Sequence, residues 1–304
     1  MKIGDFEITP PAPKLQDAHC IAMLRPWVNV GNVGAIVLGR LAKLYGAQEI
    51  GRLARPGKFY DFTRYRPEIR FVNSERTIRV PNTVAMAARR EDGPDFVFLQ
   101  MMEPHGNAED FNDSVLALLR ELGVSRYVLI GGMYDSVPHS RPLLVTGSAR
   151  GWAPPPDFGG VRIGRSSYQG PTSLTSQLTD RARNELDVET LSLIVHLPLY
   201  LKLEDDYAGS ARLLTALSAL YGFSESLPEV EMGERQYSQV TPAMGNNPQL
   251  QELVQKFEAE YDQQSGDADI DQFSLSPEIE RFLEDVARKA GEEPGDDQSR
   301  GDEM

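Results

Sequence analysis

"DFVFLQMMEPHGNAEDFNDSVLALLRELGVSRYVLIGGM", Asp95–Met133, contains the repeating unit that decides the fold. It opens with an apolar strand, Asp95–Met102, and closes with another, Tyr127–Met133. Between them Phe111, Val115, Leu118, Leu119 and Leu122 recur at helical spacing, and Gly123 stops the run. Asn107 is the expected cap, with Glu109 and Asp110 in the first turn, where the helix dipole favours negative charge. Strands apolar throughout, joined by single helices, belong to a largely parallel sheet covered on both faces.

The unit recurs on either side. "HCIAMLR" (His19–Arg25) reads as a buried strand followed by a helix over Val33–Tyr45, with Val33, Val37, Leu41 and Leu44 on one face and Gly46 as its stop. Further on come a helix from about Thr172, the strand "LSLIVHL" (Leu191–Leu197), and a helix over Tyr207–Tyr221 closed by Gly222. Between Gln48 and Pro81 the Thr-, Arg- and aromatic-rich pieces suggest antiparallel strands or an insertion. The expected fold is therefore α/β, a three-layer sandwich with a mixed, largely parallel sheet, plus a C-terminal helical extension. Its parts are a core over residues 1–225, helices over 226–291 and a disordered acidic tail over 292–304. In the extension, Leu250, Leu253, Val254, Phe257 and Tyr261 form one apolar stripe. Ile279, Phe282, Leu283 and Val286 form a second, opened by Ser276 and Pro277. Such helices can dock on their own core, a second subunit or another protein.

Hydrophobic residues at 40% and charged residues at 25% of the 304 fit a soluble globular protein. No apolar run approaches the ~18 residues that span a bilayer. The start "MKIGDFEITPP" lacks a signal-peptide core, so a cytoplasmic location is expected. The single cysteine, Cys20, excludes an internal disulfide or a multi-cysteine metal site, and its apolar setting reads as a buried structural thiol. Net charge is −14, but Ser265–Met304 holds 13 acids against 4 bases, leaving −5 for the first 264 residues. No basic footprint for nucleic acid is present.

Candidate sites fall where the strands end. In "NVGNVG" (Asn29–Gly34) the amides of Gly31, Asn32 and Gly34 can hold a phosphate or carboxylate, or the glycines can simply make a tight turn. The spacing is neither the dinucleotide pattern nor a P-loop. "KFYDFTRYRP" (Lys58–Pro67) interleaves aromatics with Arg64 and Arg66 and reads as an interface or pocket wall, with Asp61 and Arg66 able to pair. Glu103 and His105 of "MMEPHG" are residue types for proton transfer, but too few for a metal set. His139 and Arg141 of "SVPHSRP" follow the next strand. If the two strands are neighbours, these four side chains share one rim, where Arg141 suits an anion. The alternative is a loop made rigid by Pro138 and Pro142. Tyr168 and Thr172 of "YQGPT" open another helix, Thr172 as its cap, and join the candidate ligand-binding residues. His196 is either a satisfied core histidine or part of the rim.

These blocks, in this order, resemble the proteasome assembly chaperone 2 family and its bacterial and archaeal relatives. The matching stretches are Gly31-Asn32-Val33-Gly34, Phe59-Tyr60-Asp61-Phe62, Arg66-Pro67, Glu103-Pro104-His105 and Pro138-His139-Ser140-Arg141-Pro142. Thr146-Gly147, Tyr168-Gln169-Gly170-Pro171-Thr172, and His196 with Pro198 and Tyr200 continue the match, from about Ala18 to Gly222. The resemblance implies a nucleoside-phosphorylase-like α/β sandwich, self-association and a role in protein assembly. Members can dock on the proteasome through a hydrophobic-Tyr-any residue ending, from which "RGDEM" departs. Some relatives are described as ATP-dependent carboxylate–amine ligases. Here only Lys43 and Lys58 lie near the glycine loop, which disfavours that chemistry. The leading expectation is a non-catalytic protein without a cofactor, forming a homo-oligomer, a trimer, and contacting a partner through its C-terminal helices. The alternative is a phosphorylase- or hydrolase-like enzyme or binder of a small anionic or nucleoside-like ligand. In that reading Gly31–Gly34 and Arg141 hold the anion, and His105 or His139 moves a proton with Glu103 orienting it.

Overall fold

A computed structural model of the chain describes residues 1–155, 158–164, 173–223, 227–245 and 247–264. Four parallel strands form its centre, in the order β8 (Phe96–Met102), β3 (Ala18–Arg25), β9 (Val124–Asp135) and β12 (Glu189–Pro198). Each is apolar on both faces because both faces are covered. In β9, Tyr127 and Leu129 face α2 (Ala108–Glu121) and α3 (Leu174–Leu186). Val128 and Ile130 face α1 (Val33–Leu44) and α4 (Tyr207–Tyr221). Cys20, Ala22 and Leu24 alternate in the same way with Ile21 and Met23 of β3, so three layers follow from a two-residue period. Cys20 is fully buried and burial pushes its thiol well up, as a structural cysteine requires.

Antiparallel strands extend the sheet at both edges. On the β8 side lie β7 (Val84–Ala88), β4 (Gln48–Leu53), β2 (Phe6–Ile8) and β1 (Lys2–Ile3). Beyond β12 come β10 (Val145–Arg150), antiparallel to it, and β11 (Arg162–Ile163). β5 (Glu68–Val72) and β6 (Glu75–Arg79) form a separate two-stranded hairpin. The antiparallel character expected between Gln48 and Pro81 is thus present. After α4, Gly222 closes the helix at φ 72°, as its position in the sequence requires. Then follow α5 (Pro228–Ser238), α6 (Val240–Met244) and α7 (Pro248–Gln264). The stripe Ile279–Val286 and the acidic tail lie outside the described residues. Among the described residues no helix is long and apolar enough to cross a membrane.

The chain leaves β3 towards β4, β7 and β8 on one side and returns through α2 to β9 on the other. The carboxyl end of β3 is therefore the point at which the strand order reverses. There the segment after β3 keeps following β9: the Gly132 amide donates to the Val28 carbonyl at 2.9 Å, and Asn29 bridges to Gly132. A Cβ at Gly131 would stand 2.3 Å from the Val28 oxygen. "YVLIGGM" therefore ends in a glycine pair because another backbone lies against it.

Gly131→Ala should destabilise the protein by about 2 kcal/mol or more, since the obstruction is backbone, whereas Gly39→Ala should stabilise it by up to ~1 kcal/mol. Gly39 lies inside α1 with open space around it. Urea unfolding of the two variants checks both signs.

At the opposite end of β3, His19 is buried beside Tyr221, with its Nδ1 3.2 Å from the phenol oxygen. Burial first, then the charge of Arg126, lower its pKa to about 4, with Arg90 acting in the same direction and Asp17 opposing. Between pH 6.5 and 4 the unfolded chain protonates this histidine and the folded chain does not. Stability should fall as pH drops through that window, on the order of 3 kcal/mol from this residue. His19→Gln should flatten the pH dependence of unfolding over the same range.

Candidate functional site

The loops after the four parallel strands line one rim, which they occupy in two separate groups. β3 lies between β8 and β9. The expected convergence of Glu103 and His105 with His139 and Arg141 therefore does not occur: the strands that carry them are consecutive in sequence but not neighbours in the sheet.

The first group joins "FYDF" to "EPH". Phe59 and Tyr60 are buried, Phe59 edge-on to Phe111 with ring centres 5.5 Å apart. The His105 amide donates to the Phe59 carbonyl at 2.8 Å, and the Asp61 amide donates to His105 Nδ1 at 3.1 Å. Tyr65 lies against the His105 ring at 4.4 Å and donates to the Glu103 carbonyl at 3.2 Å. Glu103 is half-buried, and burial raises its pKa, with only His105 acting against the shift. Asp61 accepts from the Thr63 amide and hydroxyl at 2.8 and 2.7 Å, which lowers its pKa. Its nearest cation is Arg64, at 4.0 Å, so the expected pairing of Asp61 with Arg66 is replaced by an Arg64 contact; Arg66 is exposed.

The glycine loop is closed by the chain itself. Gly31 and Asn32 take φ of 58° and 51°, and the Gly31 carbonyl accepts the Asp206 amide at 2.8 Å. Asn32 Nδ2 donates to Asp205 Oδ1 at 2.9 Å. A Cβ at Gly31 would fall 2.7 Å from that of Asp206, and one at Gly34 3.0 Å from Asn29 Oδ1. The Asn29 oxygen instead accepts the Ala35 amide at 3.2 Å. The carboxylate nearest this helix start is thus the protein's own. Asp206, buried and with a raised pKa, caps α4 through the Gly209 amide and accepts from the Tyr237 hydroxyl at 2.9 Å. Lys43 stands in the last turn of α1, and Lys58 binds Asp5 and Asp110 at 2.7 and 2.9 Å, so neither lysine serves the loop.

The second group surrounds "PHSRP", and α7 covers it. The Tyr200 hydroxyl accepts the His139 amide at 2.8 Å and meets His139 Nδ1 at 2.7 Å, while Nε2 stands 2.9 Å from Thr241 Oγ1. A neutral ring, accepting from Tyr200 and donating to Thr241, satisfies this geometry, and burial lowers the His139 pKa in agreement. Burial pushes Tyr200 up to about 12. Ser140 bonds Glu258, Arg141 forks onto Asp262 at 2.9 and 2.8 Å, and Tyr261 donates to the Pro142 carbonyl at 2.8 Å. Beneath them Phe257, 1% exposed, stacks on Tyr200 at 6.3 Å. The apolar stripe of α7 is therefore docked on its own core, and Arg141 already holds a carboxylate.

Across β9, β12 and β10, Asp135 Oδ2 meets His196 Nδ1 at 2.7 Å, and His196 Nε2 meets Thr146 Oγ1 at 2.9 Å. His196 is 2% exposed. Carboxylate, imidazole and hydroxyl stand in the sense of a hydrolase relay, and the same bonds satisfy a buried imidazole. Both sequence readings of His196 meet here: it is buried, and it lies at the rim end of β12. Asp135 was not among the sequence candidates, and Thr146 was marked only by the Thr-Gly pair of the resemblance. Tyr168 and Thr172 lie outside the described residues. Among the described residues no three His, Cys, Asp or Glu side chains gather to hold a metal ion.

A three-layer α/β sandwich whose rim binds its own C-terminal helix is the class that fold and site define. The PAC2 family model matches residues 23–240, most of the chain, and the chain belongs to that family. Among solved structures it is similar to a PAC2 family protein of Streptomyces avermitilis, at 24% identity over 78% of this chain and 100% of that one, TM-score 0.67. A proteasome-assembly chaperone homologue of Mycobacterium tuberculosis is 22% identical over 78% and 99%, TM-score 0.67. The archaeal proteasome activator PbaB of Pyrococcus furiosus is 12% identical over 79% and 99%, TM-score 0.62. No curated protein matches the chain significantly.

The docking of α7 has a measurable signature. Phe257→Ala should speed amide exchange throughout α7 by at least ~10-fold while the central strands keep their protection. Arg141→Ala, which loses only an exposed ion pair, should have a smaller and salt-dependent effect. Exchange followed by mass spectrometry separates the two.

Proposed function

We propose that this PAC2 family chain is a non-catalytic, self-associating assembly or interaction protein of the cytoplasm. The observation that carries the reading is the β5–β6 hairpin. Ile69 pairs with Ile78 across the ladder, and Phe71 follows Ile69 on the same face. These three are 57%, 57% and 72% exposed. A two-stranded hairpin is marginal alone, and an apolar face this open calls for a second surface. Family membership supports the same reading, as do relatives described as a proteasome-assembly chaperone homologue and a proteasome activator. On the rim, the Asn32 side chain and Arg141 are already held by the chain's own carboxylates, which disfavours an enzyme that binds an anion there.

The self-association is a homo-oligomer, a trimer in this reading, with the hairpin in the subunit contact. A second partner is contacted through the C-terminal region. Since α7 covers the rim with its apolar face, that contact falls to the acidic sequence beyond Gln264. A cut after Gly222 would also remove α5, whose Glu229 pairs with Arg40 at 2.7 Å beside α4. Removal of residues 265–304 is therefore the cleaner test of partner binding.

Light scattering coupled to gel filtration should find several subunits for the wild type and a monomer for Phe71→Asp. An unchanged mass in the variant, or a wild type monomeric at high micromolar concentration, contradicts the reading.

A further inference from the structure

The β8 side of the rim holds one group that the assembly reading does not use. Arg25 ends β3, the central strand, at the point where the strand order reverses. Its backbone is fixed: Arg25 pairs with Met102, and its carbonyl accepts the Glu103 amide at 2.7 Å. Two phenols close over the same place. Tyr60 bonds Thr83 and the Met102 carbonyl, and Tyr65 bonds the Glu103 carbonyl. Arg25 is half-buried, and its Nε is sealed from solvent without a hydrogen-bond partner.

An unpaired guanidinium in such a place is costly unless something binds it. Arg79, at the root of the β5–β6 hairpin, and the phenols of Tyr65 and Tyr60 lie near enough to act on Arg25 electrostatically. Burial first, then the like charge of Arg79, lower its pKa. Glu103, one residue past its β8 partner Met102, forms no ion pair with it among the described residues, and the Tyr65 phenol feels both charges. Glu68 opposite Arg79 in the hairpin is bound by Arg70 at 2.8 Å; it also feels the Arg79 charge, but the two form no ion pair among the described residues. Both phenols are placed to donate to carbonyls, so they wall the site rather than bind a ligand.

We propose that Arg25 and Arg79 form a site for a small oxyanion, a phosphate or a carboxylate, at the carboxyl end of β3. The anion supplies the acceptors that the guanidinium lacks, and it joins the hairpin root to the core. This goes beyond the assembly reading and does not depend on it. Guanidinium groups suit both ligand types through paired N–H donors, so the two sources are separated by experiment.

The full chain is titrated calorimetrically with inorganic phosphate and, separately, with citrate, at constant ionic strength set by sodium chloride. Saturable binding of either is expected: phosphate alone assigns a phosphate ligand, citrate alone a carboxylate, and both an unselective oxyanion site. Arg25→Gln should weaken the affinity at least ~10-fold, and Arg79→Gln should weaken it less. Arg25→Met should leave the melting temperature of the anion-free protein unchanged or higher, because it removes an unpaired charge, while abolishing the anion response. Absence of saturable binding by either anion, or equal affinity in Arg25→Gln and wild type, overturns the proposal. A melting temperature that falls in Arg25→Met while Arg25→Gln still binds makes Arg25 a structural group, and also overturns it.

Discussion

The approach of the Val28 carbonyl to Gly131 and Gly132 is the constraint on which the rest of the rim depends. It holds the segment after β3 against β9 and carries Gly31 to within a Cβ's reach of Asp206. In many parallel α/β sheets the reversal of strand order leaves a crevice for a ligand. Here the crevice beside β9 contains the protein's own chain: the Asp206 amide donates to the Gly31 carbonyl, and the Asp205 carboxylate accepts from the Asn32 side chain. The β12 side is closed in the same manner, by Glu258 and Asp262 of α7 on Ser140 and Arg141. The rim thus holds carboxylates of its own chain, on Asn32, Ser140 and Arg141.

This arrangement separates two tasks. One end of the molecule holds the C-terminal helix against the core through a stacked aromatic pair and a forked ion pair. The other end projects a hairpin with apolar side chains in the open. Between them the four central strands are buried on both faces over most of their length. At the end of β3, near the hairpin root, the buried Arg25 Nε has no hydrogen-bond partner. The proposed association surface and the proposed anion site therefore lie side by side.

The legible part of the fold was the part governed by local period. β3, β8, β9 and β12 announce themselves by apolar runs, and α1, α4 and α7 by stripes that end at Gly46, at Gly222 and near Tyr261. The strands that escaped reading are short or weakly patterned: β7 is "VAMAA", with three small side chains, and β10 is "VTGSAR". Their identity comes from long-range pairing with β8 and β12, which no local window contains. The same limit governed the site. Glu103, His105, His139 and Arg141 were correctly placed at strand ends, yet strand order put β3 between them. Arg25 was visible only as the last residue of "HCIAMLR"; its missing partner is a property of the folded neighbourhood. Asn107 does precede α2, but at φ 54° its amide donates to the Lys58 carbonyl and does not cap the helix.

The most direct test of a rim closed in cis and a hairpin open for association is amide hydrogen exchange of the full chain across a range of protein concentrations. The account requires slow exchange over His139–Arg141 at every concentration, since Tyr200 and α7 cover that loop within one chain. It also requires protection over Glu68–Arg79 that rises with concentration, as subunit contacts form. Fast exchange over the loop in dilute protein, with hairpin protection independent of concentration, would contradict it.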